Sequence, residues 1–335
     1  MRITTDLNEA EKIILIDYSA IAYQAYYSAP SNQEGRFIDI CLGIIRSFVR
    51  FGDVFAICFV VDSTPTRKLL IYREYKGKRK KGDEDPKEVM LPALRFFKAL
   101  RYKVQGEEAD DIIATLCTQL RDKQKIIATT DSDLKAMISK NTRVINPQSF
   151  EFVEGDTTTA LLTILEKYVC GDSSDNIPPI RKRIRKELVK DAIIAFISGT
   201  DKLTSVRTQF TEYLKSNVDL KIKDEEIDRL ALNMELITPR RDLNLKPEPF
   251  LPTVKEYREF LAVAEESLFD YPTIGLADAL GKISHKVDPK AELMFSSADS
   301  QQANTKPETD TTEVLNGEID SFLGGMDDLF EDDVA

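Results

Sequence analysis

The residues best suited to chemistry are nine carboxylates that lie in five short clusters within the first 175 positions. They are Asp17 in KIILIDYS, Asp62 in AICFVVDS, Glu108, Asp110 and Asp111 in GEEADD, Asp131 and Asp133 in TTDSD, and Asp172 and Asp175 in GDSSDN. Carboxylates that converge repel one another strongly unless cations neutralise them. Oxygen ligands without His or Cys suit hard cations, so this set predicts a site for Mg²⁺, which Mn²⁺ could replace.

Alternating strands and helices would bring these clusters together. Apolar runs rich in β-branched residues predict strands at 13–17, 54–61, 125–130 and 143–146. Amphipathic patterns predict helices at 37–51, 88–100, 109–121 and 158–169. This alternation is typical of an α/β fold with a doubly wound, mainly parallel sheet. Residues that follow parallel strands share one crevice at the edge of such a sheet, and most of the clusters directly follow an apolar run.

Each cluster taken alone has a simpler explanation. A single Asp after a strand is more often a helix cap or a turn former than a ligand. The pair Asp131 and Asp133 alone would be weak evidence, because DxD also occurs in phosphatases and glycosyltransferases. Independent caps would rarely supply five clusters in this order. The only histidine, His285, lies outside all of them, so a histidine base is not expected and a metal-activated water could replace it.

The net charge of −11 comes mainly from one end of the chain. Residues 286–335 contain 13 acidic and 3 basic residues, whereas the rest of the chain is nearly neutral. When the nine clustered carboxylates are set aside, the net charge of residues 1–285 is positive, which is compatible with binding to nucleic acid. The last 50 residues are polar and poor in aromatics, and we expect them to form a disordered acidic tail.

The pattern divides the chain into three regions. We expect an α/β core at 1–175 and a helical subdomain packed on it at 176–285, followed by the tail at 286–335. No run of ~18 apolar residues could span a membrane. The cysteines show no CxxC spacing, which favours reduced thiols in a cytoplasmic protein: Cys41, Cys58, Cys117 and Cys170.

The clustered segments together resemble the flap-endonuclease/5′-nuclease family. The matching segments cover roughly residues 12–240: LIDYSAIAY, VVDSTPTRKLLIYREYKGKR, GEEADDIIATL, TTDSDLKAM, GDSSDNIPP and the NMELI that contains Asn233. The chain is similar in particular to the phage ribonuclease H branch, which would place it in the cytosol of a host cell. The resemblance implies a PIN-like core with a helical arch at about 65–92. It also implies Mg²⁺-dependent hydrolysis of phosphodiesters at 5′ ends or flaps, including the removal of primers during replication.

The resemblance also assigns the carboxylates to two metal ions. The first ion would be held by four of them: Asp17, Asp62, Glu108 and Asp110. The second would be held by Asp131, Asp133 and Asp175, with Asp111 and Asp172 binding through water. Two ions ~3.5–4 Å apart can clamp a scissile phosphate, one activating water and the other stabilising the leaving oxygen.

Residues 67–81, RKLLIYREYKGKRKK, contain eight bases and one acid and begin five residues after Asp62. A solvated charge run or a localisation patch is one interpretation of such a segment. The resemblance instead places it in the arch over the active site. It implies that Lys76 and Arg79 contact the scissile phosphate, and that Lys68 and Arg73 hold neighbouring phosphates.

Two further features would handle the substrate. Tyr23 lies six residues after Asp17 and matches the family's aromatic that stacks on a base beside the cut, although a core tyrosine would show the same spacing. A basic segment follows GDSSDNIPP and would hold duplex phosphates, unless it is an ordinary charged helix: Arg181, Lys182, Arg183, Arg185, Lys186 and Lys190. It lacks the glycines with which the family binds potassium, so a potassium site is doubtful.

The tail ends in EIDSFLGGMDDLFEDDVA, in which apolar residues interrupt an acidic stretch: Phe322, Leu323, Met326, Leu329 and Phe330. Such a segment commonly folds into a groove on a partner. MDDLF resembles the bacterial clamp-binding pentapeptide at its last three positions. A single-strand-binding protein as the partner, or a shield over the basic face, remains an alternative, and the enzyme itself is expected to be a monomer.

The interpretation that accounts for most of these features is a Mg²⁺-dependent 5′-nuclease acting on DNA and RNA–DNA duplexes with 5′ ends or flaps. A PIN-like ribonuclease shares the sheet but usually has fewer carboxylates and no long arch. An inactive scaffold that binds DNA and a clamp would have no need for so costly a cluster. The sequence leaves open whether RNA or DNA is preferred.

Overall fold

A seven-stranded sheet forms the centre of the molecule. The computed structural model describes residues 2–50, 52–79, 84–155, 157–199 and 206–250. The strands are β1 Arg2–Ile3, β2 Lys12–Asp17, β3 Val54–Val60, β4 Ala99–Tyr102, β5 Gln124–Ala128, β6 Thr142–Ile145 and β7 Glu248–Phe250. Their order is β6-β5-β2-β3-β4-β7, with β1 also beside β3. Every pair is parallel except β4 and β7.

Helices cover both faces of the sheet. They are α1 Tyr18–Ser28, α2 Gln33–Phe48, α3 Thr66–Ile71, α4 Pro86–Met90, α5 Ala109–Gln119, α6 Thr157–Cys170, α7 Lys186–Gly199, α8 Val206–Ser216 and α9 Asp224–Ile237. Two short 3₁₀ helices lie at Leu91–Phe96 and Asp133–Met137. In the described part of the chain, no helix is both long and apolar enough to cross a bilayer.

The side chains of β2 show why both faces must be covered. Ile14 and Ile16 point into a core formed with α1, α2 and α4. Ile13 and Leu15 point to the opposite face, into a core that α5 and α6 to α9 complete. Because successive side chains of a strand alternate between faces, a strand apolar at every position needs a layer of helices on each side. The doubly wound α/β fold that the sequence predicts is therefore confirmed.

The prediction of one helix over 88–100 is wrong. The segment divides into α4, a 3₁₀ helix and β4, which pairs with β3 through Leu100 and Cys58. Pro92 accounts for the break, because proline has no N–H to donate and its ring clashes with the carbonyl four residues earlier. The sequence also failed to predict α8 and β7. The helical pattern expected beyond residue 250, and the whole tail, lie outside the described residues.

Candidate active site

Three parallel strands end at one edge of the sheet, and a carboxylate follows each of them. Asp17 is the last residue of β2, Asp62 follows β3, and Asp131 follows β5. Helix α5 begins at the same edge with Glu108 as its cap and Asp110 in its first turn. These five carboxylates line one cavity of about 700 Å³.

Asp17 is buried at the floor of this cavity and is 7% exposed. Its carboxylate caps α1 by accepting a hydrogen bond from the Ala20 N–H at 3.3 Å. It also accepts one from the Thr129 hydroxyl at 2.8 Å. Burial and the nearby charge of Asp62 nevertheless raise the pKa of Asp17 to about 6.

Asp62 and Asp110 complete the acidic wall of the cavity. Asp62 accepts hydrogen bonds from the Ser19 hydroxyl and, at 2.8 Å, from the Ala109 N–H, so it joins the starts of α1 and α5. Burial raises the pKa of Asp110 well above its usual range, and the charges of Asp131 and Asp17 raise it further.

The donor set fits a divalent cation. The carboxylates that line the cavity offer only oxygen atoms, the ligands that divalent cations such as Mg²⁺ prefer. Besides burial, their mutual repulsion raises the pKa values of Asp17 and Asp110, and a bound cation would remove that repulsion. Within the ranges that the structure describes, no three acidic, histidine or cysteine side chains face a common point closely enough to hold one ion. Several carboxylates instead contact groups of the protein: Asp17 and Asp62 accept from hydroxyls, and Glu108 accepts from two lysines and a tyrosine.

Glu108 shows this pairing most clearly. Its carboxylate accepts hydrogen bonds from the Lys68 ammonium at 2.7 Å, from the Tyr75 hydroxyl at 2.8 Å and from the Lys76 ammonium. Burial alone would raise the pKa of Glu108, but Lys68 and Lys76 outweigh it and lower the pKa to about 2. Glu108 is therefore ionised over the whole physiological range.

Asp175 ties the segment after α3 to the loop that follows α6. Its carboxylate accepts hydrogen bonds from the Tyr75 hydroxyl at 2.9 Å and from the Arg79 guanidinium at 2.7 Å. Its backbone carbonyl accepts one from the Lys76 N–H at 2.8 Å. Lys76 has a φ of 54°, a left-handed conformation that is costly for a residue other than glycine. The contacts with Asp175 hold Lys76 in this conformation at the mouth of the cavity.

Asp133 and Asp172 lie on either side of Lys167, beyond the five carboxylates that line the cavity. The Lys167 ammonium contacts both carboxylate oxygens of Asp133 and lies 2.7 Å from Asp172. Burial lowers the pKa of Lys167, but its hydrogen bonds to the two carboxylates outweigh burial and raise the pKa above its usual value. The ammonium therefore remains charged between them.

Asp111 lies apart from the other carboxylates. It is fully buried and accepts hydrogen bonds from the Arg240 N–H at 2.8 Å and the Glu108 N–H at 3.3 Å. The Arg67 guanidinium lies 3.8 Å away. In this arrangement Asp111 joins α5 to the segment after α9 and does not line the cavity.

The basic residues expected to bind phosphate fall into two groups. Lys68 is 4% exposed and faces Glu108 in this structure, so its amino group does not reach the surface where a neighbouring phosphate would lie. Arg181 donates to the Leu220 carbonyl at 2.6 Å and packs between elements of the helical region. The others are exposed, either in the arch or around the start of α7: Arg73, Lys182, Arg183, Arg185, Lys186 and Lys190.

Tyr23 lines the cavity and is 44% exposed, so it is not a core residue. Its ring lies 6.2 Å from that of Tyr27, which is 67% exposed. Two accessible rings on one helix face, next to the carboxylates, are suited to stacking on unpaired bases.

Sequence reasoning missed several residues of the site. Tyr75 and Lys167 each contact two of the predicted carboxylates, and Ser19 and Thr129 hold two more. The sequence did contain a signal for Lys167, because this lysine lies in the last turn of a predicted helix that ends just before the carboxylates of GDSSDN. The pairing of Tyr75 with Asp175 had no local signal, because 100 positions separate them.

Residues 12–168 match the family model described as the 5′–3′ exonuclease, N-terminal resolvase-like domain. This range contains seven of the nine clustered carboxylates and the basic segment at 67–81.

Several curated proteins match a larger part of the chain. DNA polymerase I of Bacillus subtilis is 24% identical over 345 residues, which cover 91% of this chain and 36% of that protein. The thermostable DNA polymerase I of Thermus thermophilus is 26% identical over 70% of this chain and 29% of its own length. A 5′–3′ exonuclease of Aquifex aeolicus is 27% identical over 50% of this chain and 64% of its own length. The chain thus spans about a third of the length of the first of these relatives.

Among solved structures, the bacteriophage T5 flap endonuclease, crystallised in a pseudo-enzyme-product complex with DNA and metal ions, has the same fold. The match has a TM-score of 0.50 and 13% identity, and it covers 82% of this chain and 100% of that one. Residues 12–168 are thus similar to the N-terminal resolvase-like domain of 5′–3′ exonucleases, and the T5 structure shares the fold of this core.

Proposed function

We propose that this chain is a Mg²⁺-dependent 5′-nuclease that hydrolyses phosphodiesters at 5′ ends or flaps of DNA and RNA–DNA duplexes. The observation that supports this most is the cavity of about 700 Å³, whose walls combine five carboxylates with Lys76 and Arg79 of the arch. Carboxylates suit divalent ions, and the two cations suit a phosphate. A phosphodiester that binds together with metal ions needs both the carboxylates and the cationic side chains.

Four carboxylates that line the cavity would hold the first ion: Asp17, Asp62, Glu108 and Asp110. Asp131, Asp133 and Asp175 would serve the second, and Asp172 would act through water. When bound, such ions activate a water molecule and stabilise the leaving oxygen. Asp111 would contribute indirectly, by fixing the start of α5 on which Glu108 and Asp110 lie.

Lys76 and Arg79 would act directly on the phosphate. Both line the cavity, and each carries its charge on a side chain that now contacts a carboxylate. Donors fixed next to the scissile phosphate stabilise the negative charge that develops in the transition state. Tyr23 would stack on the base beside the cut, and the exposed bases around α7 would hold duplex phosphates. None of these contacts reads base edges, so recognition depends on shape and backbone.

The tail would connect the nuclease to replication. We propose that Phe322, Leu323, Met326, Leu329 and Phe330 bind a sliding clamp, while the protein acts as a monomer in the cytoplasm. These residues lie outside the described part of the chain, and the proposal depends on their sequence pattern alone.

The test is cleavage of labelled 5′-flap, nicked and RNA-primed duplexes in Mg²⁺ by wild type and Asp131→Asn. The variant should lose turnover but keep duplex binding, because Asp131 is proposed as an ion ligand and not as a phosphate contact. Asp122→Asn is the matched control, since Asp122 is exposed and precedes β5, at the opposite edge of the sheet. Cleavage by Asp131→Asn at the wild-type rate would refute the site assignment. A wild type that binds duplex without cutting it would favour the inactive scaffold.

A further inference from the structure

Lys167 holds a position that the proposed function would give to a metal ion. It lies in the last turn of α6, and its ammonium contacts Asp133 on one side and Asp172 on the other. Its side chain is 21% exposed, and the carboxylate of Asp172 is 10% exposed. Partial burial reduces the screening of the Lys167 and Asp172 charges by water, so their mutual attraction is greater than that of a fully exposed pair.

The surrounding contacts fix this arrangement. Asp172 also accepts hydrogen bonds from the N–H and the hydroxyl of Ser174, at 2.9 Å and 2.5 Å. Asp133 starts a 3₁₀ helix directly after Asp131, whose carboxylate accepts the Asp133 N–H at 2.8 Å. The Asp172 carboxylate therefore cannot move far from the lysine without losing its hydrogen bonds to Ser174, and the backbone of Asp133 is held beside Asp131.

We propose that Lys167 is a built-in cation of the second carboxylate group, so that a second divalent ion binds there only weakly and in competition with the ammonium. This inference rests on the proposed function, because it concerns the ion that Asp133 would share. It goes further in assigning unequal affinities to the two sites. In the first group, Lys68 and Lys76 both contact a single ligand, Glu108, and the described contacts of Asp17 and Asp62 include no lysine. Lys167 differs because it bridges two ligands of one group.

Two effects of the lysine act in the same direction. With the ammonium in place, an incoming divalent ion meets a positive charge within contact distance of its ligands and must displace it. The same ammonium stabilises the metal-free protein, because it neutralises carboxylates that would otherwise repel each other. Removing the charge should therefore strengthen binding of the second ion and weaken the metal-free fold.

The experiment is calorimetric titration of the metal-free full chain with Mn²⁺, comparing wild type with Lys167→Met, Lys167→Arg and Lys135→Met. Wild type should bind one ion tightly and one weakly. Lys167→Met should lower the Kd of the weak site at least tenfold, whereas Lys167→Arg keeps the charge and should leave that Kd unchanged. Lys135 is the matched control, because it lies in the same 3₁₀ helix, is exposed, and loses the same charge.

Thermal unfolding provides a second measurement on the same proteins. In EDTA, Lys167→Met should melt at a lower temperature than wild type, and Mn²⁺ should raise its Tm by more than it raises that of wild type. Equal Kd values for the weak site in wild type and Lys167→Met would overturn the inference, as would equal Tm gains. An Asp17→Asn variant that still binds both ions as wild type does would instead refute the proposed metal centre, whatever Lys167 does.

Discussion

At the scale of single residues, Lys76 combines an unusual backbone with a side chain that lies inside the cavity. Its N–H is bound by the Asp175 carbonyl at 2.8 Å, and its ammonium contacts Glu108. A substrate phosphate that reaches the ammonium must therefore replace a carboxylate partner. This exchange becomes favourable once cations neutralise the carboxylates.

Lys76→Ala should lower the single-turnover rate by ~10²–10³, the range found when one preorganised donor to a transition state is removed. The affinity for a flap duplex, measured in Ca²⁺, should change little. Lys78→Ala is the control, because Lys78 is an exposed lysine of the same turn. Lost affinity with an unchanged rate would show that Lys76 only holds the backbone of the substrate.

Asp17 makes the stability of the metal-free protein depend on pH. Its pKa in the folded protein is about 6, above the ordinary 3.8, so the folded state favours the protonated form. The stabilisation that protonated Asp17 contributes is complete below about pH 4 and is lost as pH rises through 6. A difference of about two pKa units lowers the free energy of unfolding by up to ~3 kcal/mol.

Asp17→Asn removes that charge permanently. In EDTA, its free energy of unfolding at pH 7.5 should exceed that of wild type, and its change between pH 4.5 and 7.5 should be smaller. Urea unfolding at the two pH values measures both quantities. The same pH slope in both proteins would contradict the cause assigned here to the raised pKa.

At the scale of elements, Asp111 connects three parts of the chain. It accepts the Arg240 N–H after α9, lies 3.8 Å from Arg67 of α3, and belongs to the first turn of α5. The base of the arch and the end of the helical region thus meet at one buried carboxylate.

Asp111→Ala should lower the free energy of unfolding by ~3–5 kcal/mol, as expected when one partner of a buried charged network is removed. The loss should be similar in EDTA and in Mg²⁺, because Asp111 does not line the cavity. Asp110→Ala is the contrasting variant, and in EDTA it should be neutral or stabilising, because burial and then the charges of Asp131 and Asp17 raise the pKa of Asp110. A loss for Asp111→Ala that appears only with Mg²⁺ would identify Asp111 as an ion ligand.

Buried strands could be predicted from the sequence, whereas the short edge strand β7 could not. The four predicted strands were found within a few residues, because a buried parallel strand needs an uninterrupted apolar run. Strand β7, with the sequence EPF, has no such run and exists only because β4 offers it a partner. The five carboxylates that line the cavity were predictable, since sheet topology places strand ends together. The partners of Glu108 were not predictable, because Lys68 and Tyr75 lie more than 30 positions from it.

At the scale of the whole molecule, charge is divided between a nearly neutral body and an acidic end. Residues 286–335 contain 13 of the 57 acidic residues and 3 of the 46 basic ones. Apolar residues within that acidic stretch are suited to anchoring in a groove on a partner. The acidic residues around them would raise the rate of association if the rim of that groove is basic.

Deleting residues 316–335 should leave cleavage of naked flap substrate nearly unchanged and remove both binding and stimulation by a sliding clamp. A pull-down and a clamp-supplemented nuclease assay measure these effects. The full chain with Leu329→Ala and Phe330→Ala should behave like the deletion, which separates the anchor from the loss of charge. Equal clamp binding by all three proteins would show that the tail is not the clamp-binding segment. A gain of activity on naked DNA would favour the tail as an electrostatic shield.

The short strand β7 also affects how the protein behaves in concentrated solution. It covers the backbone of β4 through Pro249, which lies opposite Leu100. Proline has no N–H, so the outer side of β7 offers an incomplete ladder to another sheet. A chain cut before Glu248 would instead expose β4, whose bare edge is a template for self-association. A shortened version made for crystallisation should therefore keep residues 248–250, or it will aggregate through that edge even though every residue of the cavity is present.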